Sequence, residues 1–268
     1  MVYFVFLFDI FFVFLDAHWT PNPGDTHQIL KKDDLIKIDY GVHLNGYITD
    51  GAFSFSFNDR YDPLINASKE ATQVGMDMAG PEASLGDIGT AIQETIESYE
   101  IELNGKTFPL KSVGNLCGHQ IGQYKIHCGK PVPNVTNKHI INNEMYRMKE
   151  GEEYAIETFP STGTGDVKED NDPGSWSHFM ANYTNPKKFN DFVVKEGYPS
   201  KMNERFGTLA FCKRWMKDSD LWNPKKFKSL VKKREYQEYP PLYDVKGSYV
   251  SQTEYSIFIT SKGSITLN

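Results

Sequence analysis

Apolar and polar side chains alternate along residues 35–57, which read LIKIDYGVHLNGYITDGAFSFSF. A period of two is typical of β-strands, because successive side chains of a strand point to opposite faces of the sheet. Asn45 and Gly46, in the middle of this segment, predict a type I′ turn, since both central residues of that turn need positive φ. The segment is therefore predicted to form one β-hairpin with a two-residue loop.

Two carboxylates share one face of this predicted hairpin. The two-residue loop puts Asp39 opposite Ala52 and Gly41 opposite Asp50, so the two aspartates are diagonal neighbours, roughly 7–8 Å apart at the backbone. Their mutual repulsion must be offset by a shared proton, a salt bridge or a bound cation. Lys37 lies on the same face, so the hairpin alone leaves both a structural ion pair and a metal site open.

The other face of the hairpin is apolar and is predicted to pack in the core; it carries Ile36, Ile38, Phe53, Phe55 and Phe57. Two helices are predicted next, the first with Asp62 as cap and Pro63 as first helical residue. The second is predicted to begin with a capping box formed by Ser84 and Asp87. Their apolar stripes, spaced by three and four residues, are expected to cover a sheet. The stripes are Leu64, Ala67, Ala71, Val74 and Met78, and Leu85, Ile88, Ile92, Ile96 and Tyr99.

Carboxylates recur inside two later predicted strands. Residues 153–159 include Glu157, and residues 249–260, predicted to be the final strand, include Glu254. Between the helices and these strands lies a Gly- and His-rich bend that contains His119. Together with Asp39 and Asp50 these residues give four carboxylates and one imidazole, a formal charge that two divalent cations would balance. Oxygen donors with one imidazole suit Mn, Fe, Co or Zn better than a thiolate site would.

The overall composition narrows the function classes. At 268 residues the chain can form one domain with an inserted subdomain. The net charge of −6 argues against a general nucleic-acid binder. Three cysteines without a CxxC spacing fit a reducing compartment, so a cytoplasmic location is expected.

A basic cluster lies in residues 185–235, a Lys-rich segment that is predicted to be largely helical. We interpret this cluster as a solvated helix face, with a nucleic-acid or ribosome contact as the alternative. It comprises Lys225, Lys226, Lys228, Lys232, Lys233 and Arg234.

The N-terminal residues 1–15 are apolar apart from Asp9. This run is shorter than the roughly 20 residues of a membrane span. It also lacks the basic residues of a signal peptide, so no membrane segment is expected. Its many phenylalanines indicate a translated T-rich non-coding stretch, that is, a faulty gene model. A real hydrophobic anchor or a buried strand is the alternative.

Nine motifs occur in order from Ala17 to Phe258: AHWTPNPGD, IKIDYG, TDGAF, GHQIGQYKIHCGK, YAIETF, SHF, FGTLAF, YPPL and SQTEY. By these motifs the chain resembles the type 2 methionine aminopeptidases, which share the pita-bread fold of creatinase and prolidase. The resemblance implies an α+β pita-bread fold with an inserted helical subdomain. We expect the catalytic domain at residues 16–170 and 236–268, and the helical insert at residues 171–235.

The same resemblance implies a centre of two divalent metal ions, Co, Mn, Zn or Fe, held by Asp39, Asp50, His119, Glu157 and Glu254. Asp50 and Glu254 would contact both ions, which activate a hydroxide, and Glu157 would be the general base. His127 matches a histidine that stabilises the tetrahedral intermediate, and His18 one near the scissile amide. The implied substrate-binding residues are His18, His127, Ile126, His178, Tyr239 and Leu242.

The implied reaction is hydrolytic removal of the initiator methionine from nascent polypeptides whose second residue is small. Two alternatives stay open at this point. The chain could be a catalytically impaired family fragment that only binds partners, or a relative that cleaves X-Pro dipeptides.

The chain departs from the family pattern in two places. The family has a further segment before AHWTPN, so the first half of the fold is expected to be incomplete, with an apolar sheet face exposed. Thr253 and Tyr255 stand where the family has an aromatic residue and a histidine around the ligand Glu254. This change is expected to weaken metal affinity or activity about 10–100-fold.

Overall fold

An eight-stranded antiparallel sheet forms the centre of the protein in the computed structural model. The structure describes residues 7–12, 17–22, 24–25, 29–172, 174–182 and 197–268. The strands are β1 (Leu7–Phe12), β2 (Leu35–Leu44), β3 (Tyr47–Ser56), β4 (Glu100–Leu103), β5 (Lys106–Pro109), β6 (Lys111–Ser112), β7 (Cys117–Ile121), β8 (Pro131–Pro133), β9 (Glu153–Thr158), β10 (Pro160–Ser161), β11 (Lys168–Glu169), β12 (His178–Ala181), β13 (Phe211–Cys212), β14 (Tyr236–Tyr239), β15 (Leu242–Tyr243), β16 (Thr253–Thr260) and β17 (Gly263–Thr266). The described helices are α1 (Asp62–Asp77), α2 (Leu85–Glu97), α3 (Tyr198–Phe206), α4 (Lys213–Asp218) and α5 (Pro224–Lys232). The strand order in the central sheet is β1-β2-β3-β16-β9-β7-β8, with β17 paired to β16.

The predicted hairpin is confirmed, and so is its register. Strands β2 and β3 are joined by Asn45 and Gly46, whose φ angles are 53° and 84°, as a type I′ turn requires. Asp39 pairs with Ala52, and Gly41 pairs with Asp50. Both aspartates therefore lie on one face, as the alternation predicted.

Helices α1 and α2 pack on the opposite face of the sheet. The predicted cap of α2 is confirmed, since Ser84 Oγ accepts a hydrogen bond from the Asp87 backbone N–H at 3.2 Å. The predicted cap of α1 is wrong: Asp62 is the first helical residue and Tyr61 precedes it. The reason is a 3-10 turn, Asp59–Tyr61, which leads directly into α1 and is itself capped by the side chain of Asn58.

The apolar stripes of both helices are largely buried, as predicted. Leu64, Ala67 and Ala71 of α1 have no exposed area, and neither does Ile92 of α2. Met78 departs from this pattern, because it lies just past the end of α1 and is 40% exposed.

The prediction that the whole apolar face of the hairpin lies in the core is wrong in part. Ile36 is buried, but Phe53 is 42% exposed and Phe57 is 63% exposed. The reason is the position of α1, whose buried side chains meet β9 and β16 instead: Thr72 bonds Thr158 at 2.9 Å. Within the described residues, helix cover thus stops before the hairpin end of the sheet.

The predicted final strand, residues 249–260, is also corrected. Strand β16 starts only at Thr253, and a further strand, β17, follows it and pairs with it from Gly263 to Thr266. Gly263 has a φ of 142°, which permits the tight reversal between the two strands.

A second, smaller core forms around the three-stranded sheet β13-β12-β14 and helices α3 to α5. Its buried aromatic side chains are Phe179, Phe206, Phe211, Phe227 and Tyr236. The lysines of α5 are exposed on the other side of that helix, which fits the predicted solvated face. These contacts do not test the predicted limits of the helical insert, residues 171–235. Residues 183–196 of that insert lie outside the described part of the chain.

The apolar N-terminal run contributes strand β1, which pairs with β2 at the edge of the sheet. The predicted boundary at residue 16 lies outside the described residues. Among the helices that the structure describes, none is both long and apolar enough to span a membrane.

Candidate metal centre

Five neighbouring strands bring the acidic residues and His119 to one face of the central sheet. Glu254 on β16 pairs with Ala52 on β3 and with Glu157 on β9. His119 on β7 pairs with Ala155, two residues before Glu157. Because paired residues share a face, as do residues two apart on a strand, these side chains converge.

Two serine hydroxyls join the strands that carry Asp50 and Glu254. The Asp50 N–H donates to Ser256 Oγ at 2.8 Å, and the Ser256 hydroxyl donates to the Asp50 carbonyl at 2.9 Å. Ser54 makes the same pair of bonds with Gln252, at 2.7 Å and 2.9 Å. The single residue pair described between β3 and β16 is Ala52 with Glu254. One serine hydroxyl lies on each side of that pair, between the two backbones.

The converging side chains fit a divalent cation. One ligand atom from each of Asp50, His119 and Glu254 lies within 4.8 Å of the others. His119 Nε2 is 3.8 Å from Asp50 Oδ2 and 3.6 Å from Glu157 Oε1. Glu254 Oε1 is buried and has no hydrogen-bond partner, and a buried polar atom of that kind is costly unless something else coordinates it.

The electrostatics of the cluster also favour a cation. Burial, and then the charges of Asp39 and Asp50, raise the pKa of Glu157 well above its ordinary value. Burial, Asp50 and Glu157 do the same to the pKa of Glu254. Burial and the nearby His127 lower the pKa of His119 to about 3, so its imidazole is neutral near pH 7 and can act as a metal ligand.

Gln252 is a site residue that the sequence reasoning missed. It is 1% exposed, and its Nε2 donates to Asp39 Oδ2 at 3.0 Å. Its side chain also lowers the pKa of the nearby Glu157 carboxyl, against the larger effect of burial. The signal was its position two residues before Glu254, which puts both side chains on one face of the strand predicted at residues 249–260.

A cavity of about 140 Å³ opens beside the acidic cluster. Its remaining lining is largely apolar and aromatic, with residues contributed by the three-stranded sheet as well as by the central sheet. The lining residues beyond the five predicted ligands are His18, Gly41, Ile48, Ile126, His127, His178, Met180, Leu209, Ala210 and Tyr239. A pocket with one acidic wall and one apolar wall suits a substrate that pairs a cationic group with a hydrophobic side chain.

The predicted histidines line this cavity. The rings of His119 and His127 pack edge to face at 4.5 Å, and those of His18 and Tyr239 do so at 5.2 Å. Burial and the nearby His178 lower the pKa of His18 to about 4. His18 also has a φ of 63°, an uncommon value for a non-glycine residue.

His178 is oriented by its neighbours. Its Nδ1 lies 2.9 Å from Ser177 Oγ, and that oxygen accepts a hydrogen bond from the Thr20 N–H at 3.0 Å. Tyr239 pairs with His178 across strands β12 and β14, which sets both side chains beside the cavity.

Leu242 does not share this location. It lies outside the cavity lining and packs instead with a small cluster that includes Val113, Phe159 and Val250. Conversely, Met180 and Leu209 line the cavity although sequence reasoning did not single them out. The sequence signal that could have identified these two residues was weak, because each is an ordinary apolar residue inside or next to a matching motif.

The two departures around Glu254 lie on the opposite face of β16. Thr253 is buried and shares a hydrogen bond with Ser68 of α1 at 2.8 Å. Tyr255 pairs with Ile156, on the face that α1 covers, and is 38% exposed. Neither side chain points to the carboxylate cluster, which argues against the expected weakening through direct contact.

Comparison with known proteins identifies the family. A sequence model of metallopeptidase family M24 matches residues 15–184. The chain belongs to this family. A metallopeptidase family fits a donor set of carboxylates and one histidine.

Curated proteins of the M24 family confirm the resemblance to type 2 methionine aminopeptidases. Methionine aminopeptidase 2 of Debaryomyces hansenii is 46% identical over 252 residues, covering 91% of this chain and 56% of that protein. Methionine aminopeptidase 2A of Arabidopsis thaliana is 44% identical over 247 residues, covering 91% of this chain and 53% of that protein. The chain thus spans about half the length of the curated relatives it matches.

Solved structures confirm the pita-bread fold. A thermophilic Arx1 aligns with a TM-score of 0.75 and 15% identity, covering 99% of this chain and 76% of that one. Methionine aminopeptidase from Thermotoga maritima aligns with a TM-score of 0.60 and 18% identity, covering 97% and 72%. At these identities the likeness establishes the shared fold.

Proposed function

We propose that this chain carries the catalytic centre of a metalloaminopeptidase that removes the initiator methionine from nascent proteins with a small second residue. The observation that carries the proposal is the convergence of Asp39, Asp50, His119, Glu157 and Glu254 on one wall of a cavity whose other wall is apolar. The similarity to proteins named methionine aminopeptidase 2 supports the choice of substrate.

We propose that these five residues hold two divalent cations, drawn from Co, Mn, Zn and Fe. Four carboxylates carry a formal charge of −4, which two dications balance, and the mixture of oxygen donors with one imidazole suits these metals. When bound, such cations lower the pKa of a water molecule and polarise the scissile carbonyl.

The protein itself supplies the proton transfers. Glu157 is buried at the cavity, and as general base it takes a proton from the attacking water and passes it to the leaving amine. Burial lowers the pKa of His127, so this side chain stays neutral and can donate one N–H to the oxyanion as it develops.

The apolar wall selects the side chain that enters. Ile126, Met180, Leu209 and Tyr239 offer a surface suited to the unbranched thioether of methionine. The acidic wall complements the free α-ammonium group of a chain terminus, which explains an exopeptidase rather than an endopeptidase. His18 lines the same cavity, with its ring against that of Tyr239.

We also propose that the protein works in the cytoplasm next to ribosomes, where nascent chains emerge. The exposed lysines of α5 support a contact with the acidic surface of a ribosome. Sedimentation with ribosomes that falls steeply with added salt would support this, and sedimentation unchanged by Lys225→Glu with Lys226→Glu would contradict it.

Peptide cleavage by metal-stripped protein supplied with Mn²⁺ or Co²⁺ tests the activity. We expect release of methionine from Met-Ala-Ser and no cleavage of an X-Pro dipeptide. Glu157→Gln should lower kcat by about 10²–10⁴-fold, the usual contribution of a general base. Glu153→Gln is the matched control, because Glu153 lies on the same strand and face, four residues away.

The other outcomes are informative as well. Cleavage of the X-Pro dipeptide alone would make the protein a dipeptidase. No cleavage of either peptide, together with no bound cation, would make it a binding protein that lacks catalysis.

A further inference from the structure

Gln252 contacts one proposed ligand and lies beside a second one, and these two ligands belong to different strands. Its Nε2 donates to Asp39 Oδ2, on β2, at 3.0 Å. Glu157, on β9, pairs with Glu254 two residues from Gln252, and the Gln252 side chain lowers the pKa of the Glu157 carboxyl. A side-chain amide has two N–H donors, so one amide can serve both carboxylates at once.

Ser54, on β3, holds the backbone of Gln252 in place. The Gln252 N–H donates to Ser54 Oγ at 2.7 Å, and the Ser54 hydroxyl donates to the Gln252 carbonyl at 2.9 Å. Gln252 is 1% exposed and Ser54 is 3% exposed, so these bonds are shielded from water. The amide therefore extends from a fixed point on the sheet.

The orientation of the amide follows from chemistry. The reverse orientation would set its carbonyl oxygen against two carboxylates, which have no hydrogen to donate when ionised. In the orientation observed, Gln252 Oε1 is buried and has no hydrogen-bond partner. A buried acceptor without a donor costs stability, so the amide donates to the carboxylates at the expense of its own carbonyl oxygen.

A neutral donor has a distinct advantage at this position. A lysine or arginine would also hold the two carboxylates, but its positive charge would cancel part of the charge that attracts cations. An amide fixes their separation and leaves the negative charge of the cluster intact.

We propose that Gln252 is a positioning residue, whose amide holds Asp39 and Glu157 at the separation that the cations require. This inference rests on the proposed metal centre. It assigns Gln252 to the geometry of the centre rather than to contact with substrate.

The test compares Gln252→Met with Thr253→Val and the unaltered protein. Methionine is close in size to glutamine but has no donor. Thr253 is the matched control, because it is the next residue, is also buried, and loses a hydrogen bond on the opposite face when replaced by valine. Thermal unfolding reports the structural cost of each variant, and two further measurements report the centre.

Those measurements are calorimetric titration of metal-stripped protein with Mn²⁺ and the visible absorption spectrum of the Co²⁺-loaded protein. We expect Gln252→Met to bind Mn²⁺ about 10–100-fold more weakly and to shift the Co²⁺ absorption bands. Thr253→Val should match the unaltered protein in both, even where the two variants lose similar thermal stability.

Two results would overturn the inference. One is unchanged Mn²⁺ affinity and Co²⁺ spectrum in Gln252→Met. The other is an equal loss in Thr253→Val, which would indicate a general loosening of β16. Should Gln252→Met fail to fold, Gln252→Asn replaces it: the amide is kept but reaches one methylene less far, and unaltered affinity and spectrum would again reject the role.

The unaltered protein separates this inference from the proposed function. If it binds Mn²⁺ but does not cleave Met-Ala-Ser, the proposed function fails, while affinity and spectrum still decide the role of Gln252. If it binds no divalent cation at all, both fail.

Discussion

His119 Nε2 lies 3.6 Å from Glu157 Oε1, yet the two residues do not form an ion pair. Burial lowers the pKa of His119 to about 3, so the ring carries no charge near neutral pH. The imidazole thus does not offset the charge of the carboxylates around it. In a metal-free centre only bound protons can relieve the repulsion among the carboxylates, consistent with the raised pKa values of Glu157 and Glu254. Cations would replace those protons, which gives the first prediction.

Divalent cations should stabilise the folded protein. At a free cation concentration 100-fold above Kd, each bound cation adds about 2.7 kcal/mol to the free energy of unfolding. For a chain of this size that corresponds to a rise in Tm of roughly 5–10 °C. Differential scanning calorimetry of chelator-treated protein, with and without MnCl₂, measures this shift.

Two variants make that measurement specific. Glu254→Gln should lose most of the shift, whereas Glu153→Gln should keep it, because Glu153 lies outside the cavity lining. An unaltered protein whose Tm does not respond to Mn²⁺, Co²⁺ or Zn²⁺ would contradict the prediction.

Glu153 should make stability depend on pH. Burial raises the pKa of its carboxyl to about 7, and its Oε1 is buried without a hydrogen-bond partner. A raised pKa means that the folded state binds the proton more tightly than the unfolded state does. The contribution of Glu153 is therefore fully present below about pH 4 and is lost as the pH rises through 7.

Thermal unfolding of metal-free Glu153→Gln between pH 5 and pH 8 checks this. The Tm of the variant relative to the unaltered protein should increase with pH. The exposed Glu150, substituted in the same way, should show a constant difference. A Glu153→Gln difference that stays constant or falls with pH would refute the assignment.

Gly118 should be intolerant of a side chain. It precedes His119 on β7, and an added methyl carbon would overlap the Ala155 carbonyl oxygen on β9. Gly118→Ala must push the two strands apart, at a cost of about 1–3 kcal/mol, and it should also weaken Mn²⁺ binding because His119 moves with its strand.

Gly114→Ala is the comparison for Gly118→Ala. Its added methyl would meet Val135 at an ordinary 3.5 Å, so both stability and Mn²⁺ affinity should stay near those of the unaltered protein. Urea unfolding and calorimetric titration measure the two quantities. Equal behaviour of the two variants would argue against strand contact as the cause.

Asp244 should anchor the loop that follows β10. It accepts hydrogen bonds from Ser161 Oγ at 2.6 Å, Thr164 Oγ1 at 2.6 Å and the Gly165 N–H at 2.9 Å. Burial by itself would raise the pKa of Asp244, but these hydrogen bonds outweigh it and lower the pKa. Asp244→Asn should cost about 1–3 kcal/mol at pH 7, because an amide cannot accept all of these bonds.

The cost of Asp244→Asn should also depend on pH. Since the folded-state pKa is lowered, the stabilisation is present above the ordinary carboxyl pKa of about 4 and is lost as the pH falls below it. Denaturant unfolding at pH 7 and pH 3 measures the difference. The exposed Asp218, changed to Asn, should show no comparable cost at either pH.

Local sequence signals predicted that Asp39 and Asp50 share one face, because these signals determine the register of the hairpin. Asn45 and Gly46 determine the turn, the turn determines the pairing of β2 with β3, and that pairing puts Asp39 and Asp50 on one face. Each step is local in sequence. The acids on β9 and β16 could be named from their motifs, but their pairing with each other joins residues almost a hundred positions apart.

Features that depend on distant packing were not predictable in the same way. The exposure of Phe53 and Phe57 depends on where α1 lies over the sheet, which the alternation in β3 does not encode. Gln252 reads as one more polar residue of a strand, and its role emerges only when Asp39 and Glu157 are brought to it from other strands. Leu242 matched a motif, yet its side chain packs away from the cavity.

The boundary between β3 and β16 in the central sheet is held by two serine hydroxyls and one described residue pair. On one side lie the hairpin and β1, and on the other lie β16, β9, β7 and β8, with Asp39 and Asp50 on the first side and His119, Glu157 and Glu254 on the second. The described pairing across this boundary comprises one residue pair, against ten between β2 and β3. Cations bound by ligands from both sides would therefore stabilise the contact between β3 and β16. Amide hydrogen exchange in β3 should slow when these cations are supplied.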